Sequence, residues 1–276
     1  MAHQLLKGKK GIIFGALDER SIAWKTALAC VAEGAEIVLT NAPIAMRMGK
    51  INELAKMCNC QVIPADATSI TDIETLMQKS MEIFGGKMDF ILHSIGMSPN
   101  VRKNIVYTNT NYENFLKTLD ISALSFHRVL QTAMKLDALN EWGSVLALSY
   151  IAAQRTIPGY NDMADAKAMM ESIARSFGFQ YGFSKKVRVN TISQSPTTTT
   201  AGSGVSGFDV FLHFAEKTSP LGNASAEDCA NYCVMMFSDY TRMVTMQNLF
   251  HDGGFSTTGV SHLIVEEILA GKKQDS

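Results

Sequence analysis

Short apolar runs alternate with stretches of helical periodicity along almost the whole chain, and this alternation most narrows the folds open to it. Gly11-Ile12-Ile13-Phe14 is a buried-strand run that ends at Gly15. A helical stretch opens at Ser21, with Ala23, Ala27, Cys30 and Val31 at helical spacing, and Gly34 closes it. A second strand is predicted over 36–40 and is broken by Asn41-Ala42-Pro43. The pattern goes on with a helix over 51–57, a strand over 61–63, a helix over 70–84 before Gly85-Gly86, and a strand over 90–93. One long helical stretch, irregular at its start, is predicted over 112–136. A strand over 144–148, a helix over 161–181, a strand over 187–192, a helix over 226–237 and a last strand over 246–250 follow. Such alternation implies a parallel sheet covered on both faces. Right-handed crossovers then give an α/β doubly wound parallel sheet of Rossmann type, with ligands at the C-terminal ends of the strands. No linker, repeat or low-complexity tract divides the chain, so residues 1–276 read as a single domain.

The composition agrees. Hydrophobic residues are 46% and charged residues 18%, enough for a sizeable core. A net charge of -1 gives no electrostatic case for nucleic acid or an anionic membrane surface. No apolar run approaches the roughly 18 residues of a membrane span, and the short polar N-terminus lacks the apolar stretch of a signal peptide. Cys30, Cys58, Cys60, Cys229 and Cys233 are odd in number and come without a secretion signal, which points to reduced thiols in the cytoplasm. Their spacing gives no metal site. Cys58 and Cys60 are too close for a zinc knuckle, and no second pair follows Cys229 and Cys233.

A dinucleotide site is expected at the strand ends. Gly15 lets the backbone turn tightly toward a pyrophosphate, and the helix start beyond it offers N–H groups and a positive dipole end. The G-x-G-x-x-G pattern is absent, so a plain strand-to-helix turn also accounts for Gly15. Asp66, after the third strand, is placed to accept from an adenine amino group, or to cap a loop. Ser94-Ile95-Gly96 follows the fourth strand, where Gly96 permits close passage of a ribose or nicotinamide, or serves a simple loop. Asn41-Ala42-Pro43 ends the second strand, with Arg47 and Lys50 further on. Neither an acid for a ribose 2′-hydroxyl nor an adjacent base for a 2′-phosphate stands there. NADH is the preferred cofactor, with NADPH possible.

Tyr150, Tyr160 and Lys167 are the most informative residues. Tyr160 and Lys167 are two helical turns apart and share a helix face. An ammonium beside a phenol favours proton donation and stabilises negative charge developing on an oxygen. Together with Gly15, Ser21-Ile22-Ala23, His93-Ser94-Ile95-Gly96, Ser149-Tyr150, Tyr160-Asn161 through Met163 to Lys167, and Asp252-Gly253-Gly254-Phe255, this spacing resembles the enoyl-acyl-carrier-protein reductases of bacterial type II fatty-acid synthesis. That family is a divergent branch of the short-chain dehydrogenases. Ordinary members of the wider group carry tyrosine-x3-lysine, and position 163 here is methionine.

The resemblance implies hydride delivery to the β-carbon of a trans-2-enoyl thioester carried by an acyl-carrier protein. Tyr160 would stabilise the resulting enolate oxygen, Lys167 would bind the cofactor ribose, and Tyr150 would take part in orientation or protonation. Gly15, Ser21, Ile22, Asp66, Ala67, Ser94, Ile95, Gly96, Pro196, Thr197 and Thr199 would border the cofactor, and Ser98 would offer a backbone contact to substrate. The chain departs from the family at Ser193-Gln194-Ser195-Pro196, at Thr197-Thr198 and at Asn41-Ala42.

Residues 196–218 are expected to form a substrate-binding loop and helix. The stretch to Gly207 is rich in small residues, an amphipathic helix candidate follows from Phe208, and Met163, Val205 and Phe208 would line an acyl pocket. Arg102, Lys103, Lys217 and Arg242 are candidates for docking the acidic carrier. By analogy with the family, a homotetramer is expected, with faces from the helices beginning at Tyr112 and Asn161. His93 and His251 read as structural rather than catalytic. A ketoreductase of the short-chain dehydrogenase group and a non-catalytic dinucleotide sensor are the competing functions.

Overall fold

The computed structural model describes residues 3–199 and 208–274. Seven strands form one parallel sheet: β1 (Lys10–Phe14), β2 (Glu36–Thr40), β3 (Gln61–Val62), β4 (Met88–His93), β5 (Leu139–Ser149), β6 (Arg188–Gln194) and β7 (Asn248–His251). Their order is β3-β2-β1-β4-β5-β6-β7. The strand order reverses at the β1/β4 pair: β2 and β3 lie on one side of β1 and β4 to β7 on the other, with Gly11–Phe14 running parallel to Phe90–His93. In such a sheet the crevice at that reversal, beyond the carboxyl ends of the strands, receives the ligand.

Side-chain alternation divides the core between the two faces. Ile12 and Phe14 of β1 point into a cluster with Ile73, Met77 and Phe126. Ile13 points the other way, into a cluster with Trp24, Leu54 and Phe237. Helices α1 (Ile22–Ala32), α3 (Ile51–Cys58) and α10 (Ala226–Phe237) cover this second face. The first is covered by α4 (Ile70–Phe84), α7 (Ser125–Lys135) and α8 (Asn161–Lys185). Start signals are local. Ser21 caps α1, Ser69 caps α4, and Ser225 with Asp228 forms a capping box on α10.

The differences from the sequence reading have identifiable causes. Pro43 ends β2 but also opens a short helix, α2 (Pro43–Met48), because proline suits the first helical position. The stretch predicted as one helix over 112–136 is α6 (Tyr112–Leu119), a π-helical turn over Asp120–Leu124, and α7. The irregularity is therefore in its middle, not at its start. Within the turn Ser122 reaches the backbone of Met97, accepting from its N–H at 3.0 Å, a partner that helical periodicity does not reveal. A four-residue helix α5 (Pro99–Arg102) and the C-terminal helix α11 (His262–Gln274) were not anticipated. The helix after the small-residue stretch is present as α9 (Phe208–Thr218), and α11 packs against it.

Candidate active site

The loops after β1, β3 and β4 are held mainly by backbone contacts. Gly15 stands at φ +92°, and a Cβ there would lie 2.0 Å from the Ser94 carbonyl oxygen. Only glycine lets the loops after β1 and β4 meet this closely. The following loop winds around the Ser21 hydroxyl, which donates to Asp18 O (2.8 Å) and accepts from Leu17 N and Trp24 N (3.3 Å each). Ala65 N–H donates to Asn41 O (3.1 Å), which brings Asp66 beside the end of β2. Asp66 Oδ1 accepts from the N–H and hydroxyl of Thr68, at 2.9 and 2.8 Å, while Ala67 is buried in the core.

A cavity of about 250 Å³ opens at the carboxyl ends of β4, β5 and β6. It brings together Ile22, Ile95, Gly96, Ser98, Tyr150, Tyr160, Met163, Lys167, Pro196, Thr197, Thr199 and Phe208. Gly15, Ser21, Asp66, Ala67 and Ser94 do not line it. Val205 lies outside the described residues. Sequence reasoning missed Val101, Ile157, Pro158, Phe211 and Gln194, which also line the cavity. The apolar four carry no motif. Gln194 did carry a signal, because it sits in the segment that departs from the family pattern.

Tyr160 is the residue immediately before α8, and Lys167 follows two turns in. The Lys167 side chain is buried and its Nζ donates to Leu148 O at 2.5 Å. Burial lowers its pKa to about 8, opposed by the negative charge of Glu171 one turn on. Glu171 is held by Ser149 Oγ (2.7 Å) and Gln154 Nε2 (2.9 Å). Burial pushes the Tyr160 phenol above its ordinary value, so it stays a proton-bearing donor at neutral pH. The Tyr150 ring lies 4.9 Å from that of Tyr160, and its hydroxyl is buried without a partner among the described residues. Gly96 completes the floor: a Cβ there would lie 2.8 Å from Met163 Cε and 3.8 Å from Lys167 Nζ.

The two histidines differ. His93 is fully buried and shares a 2.8 Å hydrogen bond with Ser125 Oγ through Nε2, but its Nδ1 has no partner among the described residues. Burial, and then the charge of Lys167, lowers its pKa to about 3. His251 Nδ1 pairs with Gln194 Oε1 at 2.7 Å, and its ring stacks on Tyr232 at 4.9 Å. Gln194 Nε2 in turn donates to Ala224 O (3.1 Å) and Thr197 Oγ1 (3.3 Å), so His251 braces the segment after β6. Of the carrier-docking candidates, Arg102 lines the cavity. Arg242 does not belong there. It lies over Trp142, near the start of β5, while the cavity is at that strand's other end.

The residues present fit a nicotinamide dinucleotide. At the strand-order reversal, Gly15 lets the loops after β1 and β4 close on each other, since any Cβ there would overlap the Ser94 carbonyl. The buried, unpartnered Tyr150 hydroxyl calls for a polar ligand. A doubly wound parallel sheet with tyrosine and lysine two turns apart at its strand ends defines an oxidoreductase of the short-chain dehydrogenase/reductase class. The comparisons narrow this further. A family model described as enoyl-(acyl carrier protein) reductase matches residues 15–256, and the chain belongs to that family. The NADH-type enoyl-acyl-carrier-protein reductase 2 of Rhizobium meliloti is 34% identical over 261 residues, 94% of this chain and 96% of that protein. Among solved structures, the FabI–NADH complex of Alistipes finegoldii matches at 65% identity and a TM-score of 0.94. That match covers 95% of this chain and 92% of the other.

Proposed function

We propose that the protein reduces the double bond of a trans-2-enoyl thioester, presented by an acyl-carrier protein, with NADH as reductant. The observation that carries this reading is the meeting of Tyr150, Tyr160 and Lys167 in one largely apolar cavity beside Gly96. When bound there, NADH supplies the hydride. Gly15, Ser21, Ile22, Asp66, Ala67, Ser94, Ile95, Gly96, Pro196, Thr197 and Thr199 would hold the cofactor, and Lys167 would grip the ribose nearest the reacting ring. NADH is preferred because the end of β2 carries no base beside Asn41. The Rhizobium meliloti relative, an NADH-type reductase, supports the same choice.

The protein's part is binding, orientation and electrostatics. Tyr160 donates a hydrogen bond to the thioester oxygen and strengthens it as negative charge develops there. Lys167 keeps positive charge behind that phenol. Tyr150 orients the thioester, Ser98 offers its backbone, and Met163 and Phe208 enclose the acyl chain. The Ser98 hydroxyl is already engaged, donating to Asp162 Oδ1 at 2.5 Å and accepting from Val101 N at 3.0 Å, which is why a backbone role suits it.

Tyr160→Phe removes one donor to the developing charge, so kcat with crotonyl thioester is expected to fall about 100-fold while NADH binding persists. Stopped-flow NADH consumption measures the first and fluorescence titration the second. Consumption of acetoacetyl thioester alone by the wild-type protein would point to a ketoreductase instead.

The assembly reading is a homotetramer. Exposed apolar side chains on α6 (Tyr112, Leu116) and α8 (Phe179, Phe183) support it, and light scattering tests it. No described helix is long and apolar enough to cross a membrane. All five cysteines are free, which fits a cytoplasmic location.

A further inference from the structure

The first turn of α8 carries a carboxylate that this chemistry does not use. Asp162 is fully buried, two residues beyond Tyr160 and one before Met163. Its partners are all neutral. Ser98 Oγ donates to Oδ1 at 2.5 Å, and Asn100 Nδ2 (2.7 Å) and Thr118 Oγ1 (2.9 Å) donate to Oδ2. Taking a carboxyl group out of water without a cation is costly, so a site that does so must match its oxygens with donors.

These donors come from a single part of the chain, 44 to 64 residues away in sequence. Residues 98–118 form α5, a mostly exposed stretch and most of α6. Only Ser98, Asn100, Val101 and Thr118 of this segment are buried. Three of the four are the donors to Asp162. The segment is thus anchored chiefly by one carboxylate, with Val101 as its one buried apolar side chain. Asn161 adds a second grip: it adopts φ +42°, accepts from Thr110 Oγ1 at 3.0 Å and donates to Ile105 O.

The anchored segment is a wall of the cavity, through Ser98, Val101 and Arg102. The anchoring turn supplies another part of the lining, through Tyr160 and Met163. We propose that Asp162 is a positioning residue that sets the spacing between these two parts, and so determines which acyl chain lengths the enzyme accepts. The inference rests on reading the cavity as the acyl site. A short enoyl group reaches little of the wall beyond the reacting carbons, whereas a long one lies along it.

The test compares the full-length protein and two variants on crotonyl and trans-2-dodecenoyl thioesters with NADH. Asp162→Asn keeps the shape but sets an amide NH2 against hydrogen-bond donors. Its KM for the dodecenoyl substrate is expected to rise about tenfold, with crotonyl kcat and the KM for NADH within about threefold of wild type. Thr118→Val removes one donor from outside the cavity, and its dodecenoyl KM is expected to rise about threefold in the same direction. A purely structural role would lower the melting temperature without changing the ratio of kcat/KM between the two chain lengths.

That ratio unchanged in Asp162→Asn overturns the proposal. If Asp162→Asn fails to fold, the ratio unchanged in Thr118→Val overturns it. A wild-type protein that reduces neither thioester overturns the acyl-site reading itself, which separates the two failures.

Discussion

Lys167 holds one ammonium in the apolar lining of the cavity, and its charge is the part of the site most open to change. Burial brings its pKa to about 8, so the charged form is fully present below that pH and is lost as pH rises through it, rather than near the ordinary 10.5. A neutral amine would hold the ribose in the proposed cofactor site less strongly. NADH affinity of the free protein is therefore expected to weaken several-fold between about pH 7 and 9. Lys167→Met is expected to bind NADH weakly at both values, with no such slope; an equal slope in the variant would assign the titration to another group. Fluorescence titration across that range measures both. The Tyr160–Lys167 pair was legible in the sequence because helical periodicity fixes which residues share a face. Asp162 was not, since its meaning depends on donors 44 to 64 residues away that no local pattern connects to it.

At the level of elements, the tightest constraint is the crossing of the loops after β1 and β4. Gly15 is required there twice over, by its φ of +92° and by the Ser94 carbonyl where a Cβ would go. Gly15→Ala must push the two loops apart or distort the turn. A loss of about 2–4 kcal/mol in unfolding free energy is expected from the strain and overlap together. NADH affinity is expected to fall more than tenfold, because the loops that move are those proposed to hold the cofactor. Gly86→Ala is the matched control, since nothing lies within 4 Å of its added Cβ and its φ is not left-handed. Urea denaturation of both variants should separate them clearly. Elements with strong local signals, such as α4 between Ser69 and Gly85, were readable to within a residue. The π-helical turn and α5 were not, because both are shaped by contacts between chain segments: Ser122 with Met97, and Ser98 with Asp162.

Over the whole molecule, alternation of strand and helix announced a doubly wound parallel sheet. It could not give the strand order, which depends on where each crossover returns. That order places His93, at the end of β4, between the Phe14 and Phe126 rings (6.3 and 5.2 Å) with no access to water. A group buried this way makes global stability depend on pH. In the unfolded chain the imidazole takes up a proton near pH 6.5, whereas in the folded protein it does so only near 3. Between those values the unfolded state binds more protons, so stability must fall as pH drops, by roughly 1.4 kcal/mol per pH unit well below 6.5. From pH 7 to 5 this amounts to about 2 kcal/mol from His93. His251, whose pKa burial also lowers, adds in the same direction. The ordinary carboxylate range lies below this window, so histidines govern it. His93→Gln keeps a hydrogen-bonding partner for Ser125 and cannot titrate. Its unfolding free energy, from urea titrations at pH 7 and 5, should fall by about 2 kcal/mol less than that of the wild type. The same loss in both proteins would mean that the buried imidazole is not what makes the fold acid-sensitive.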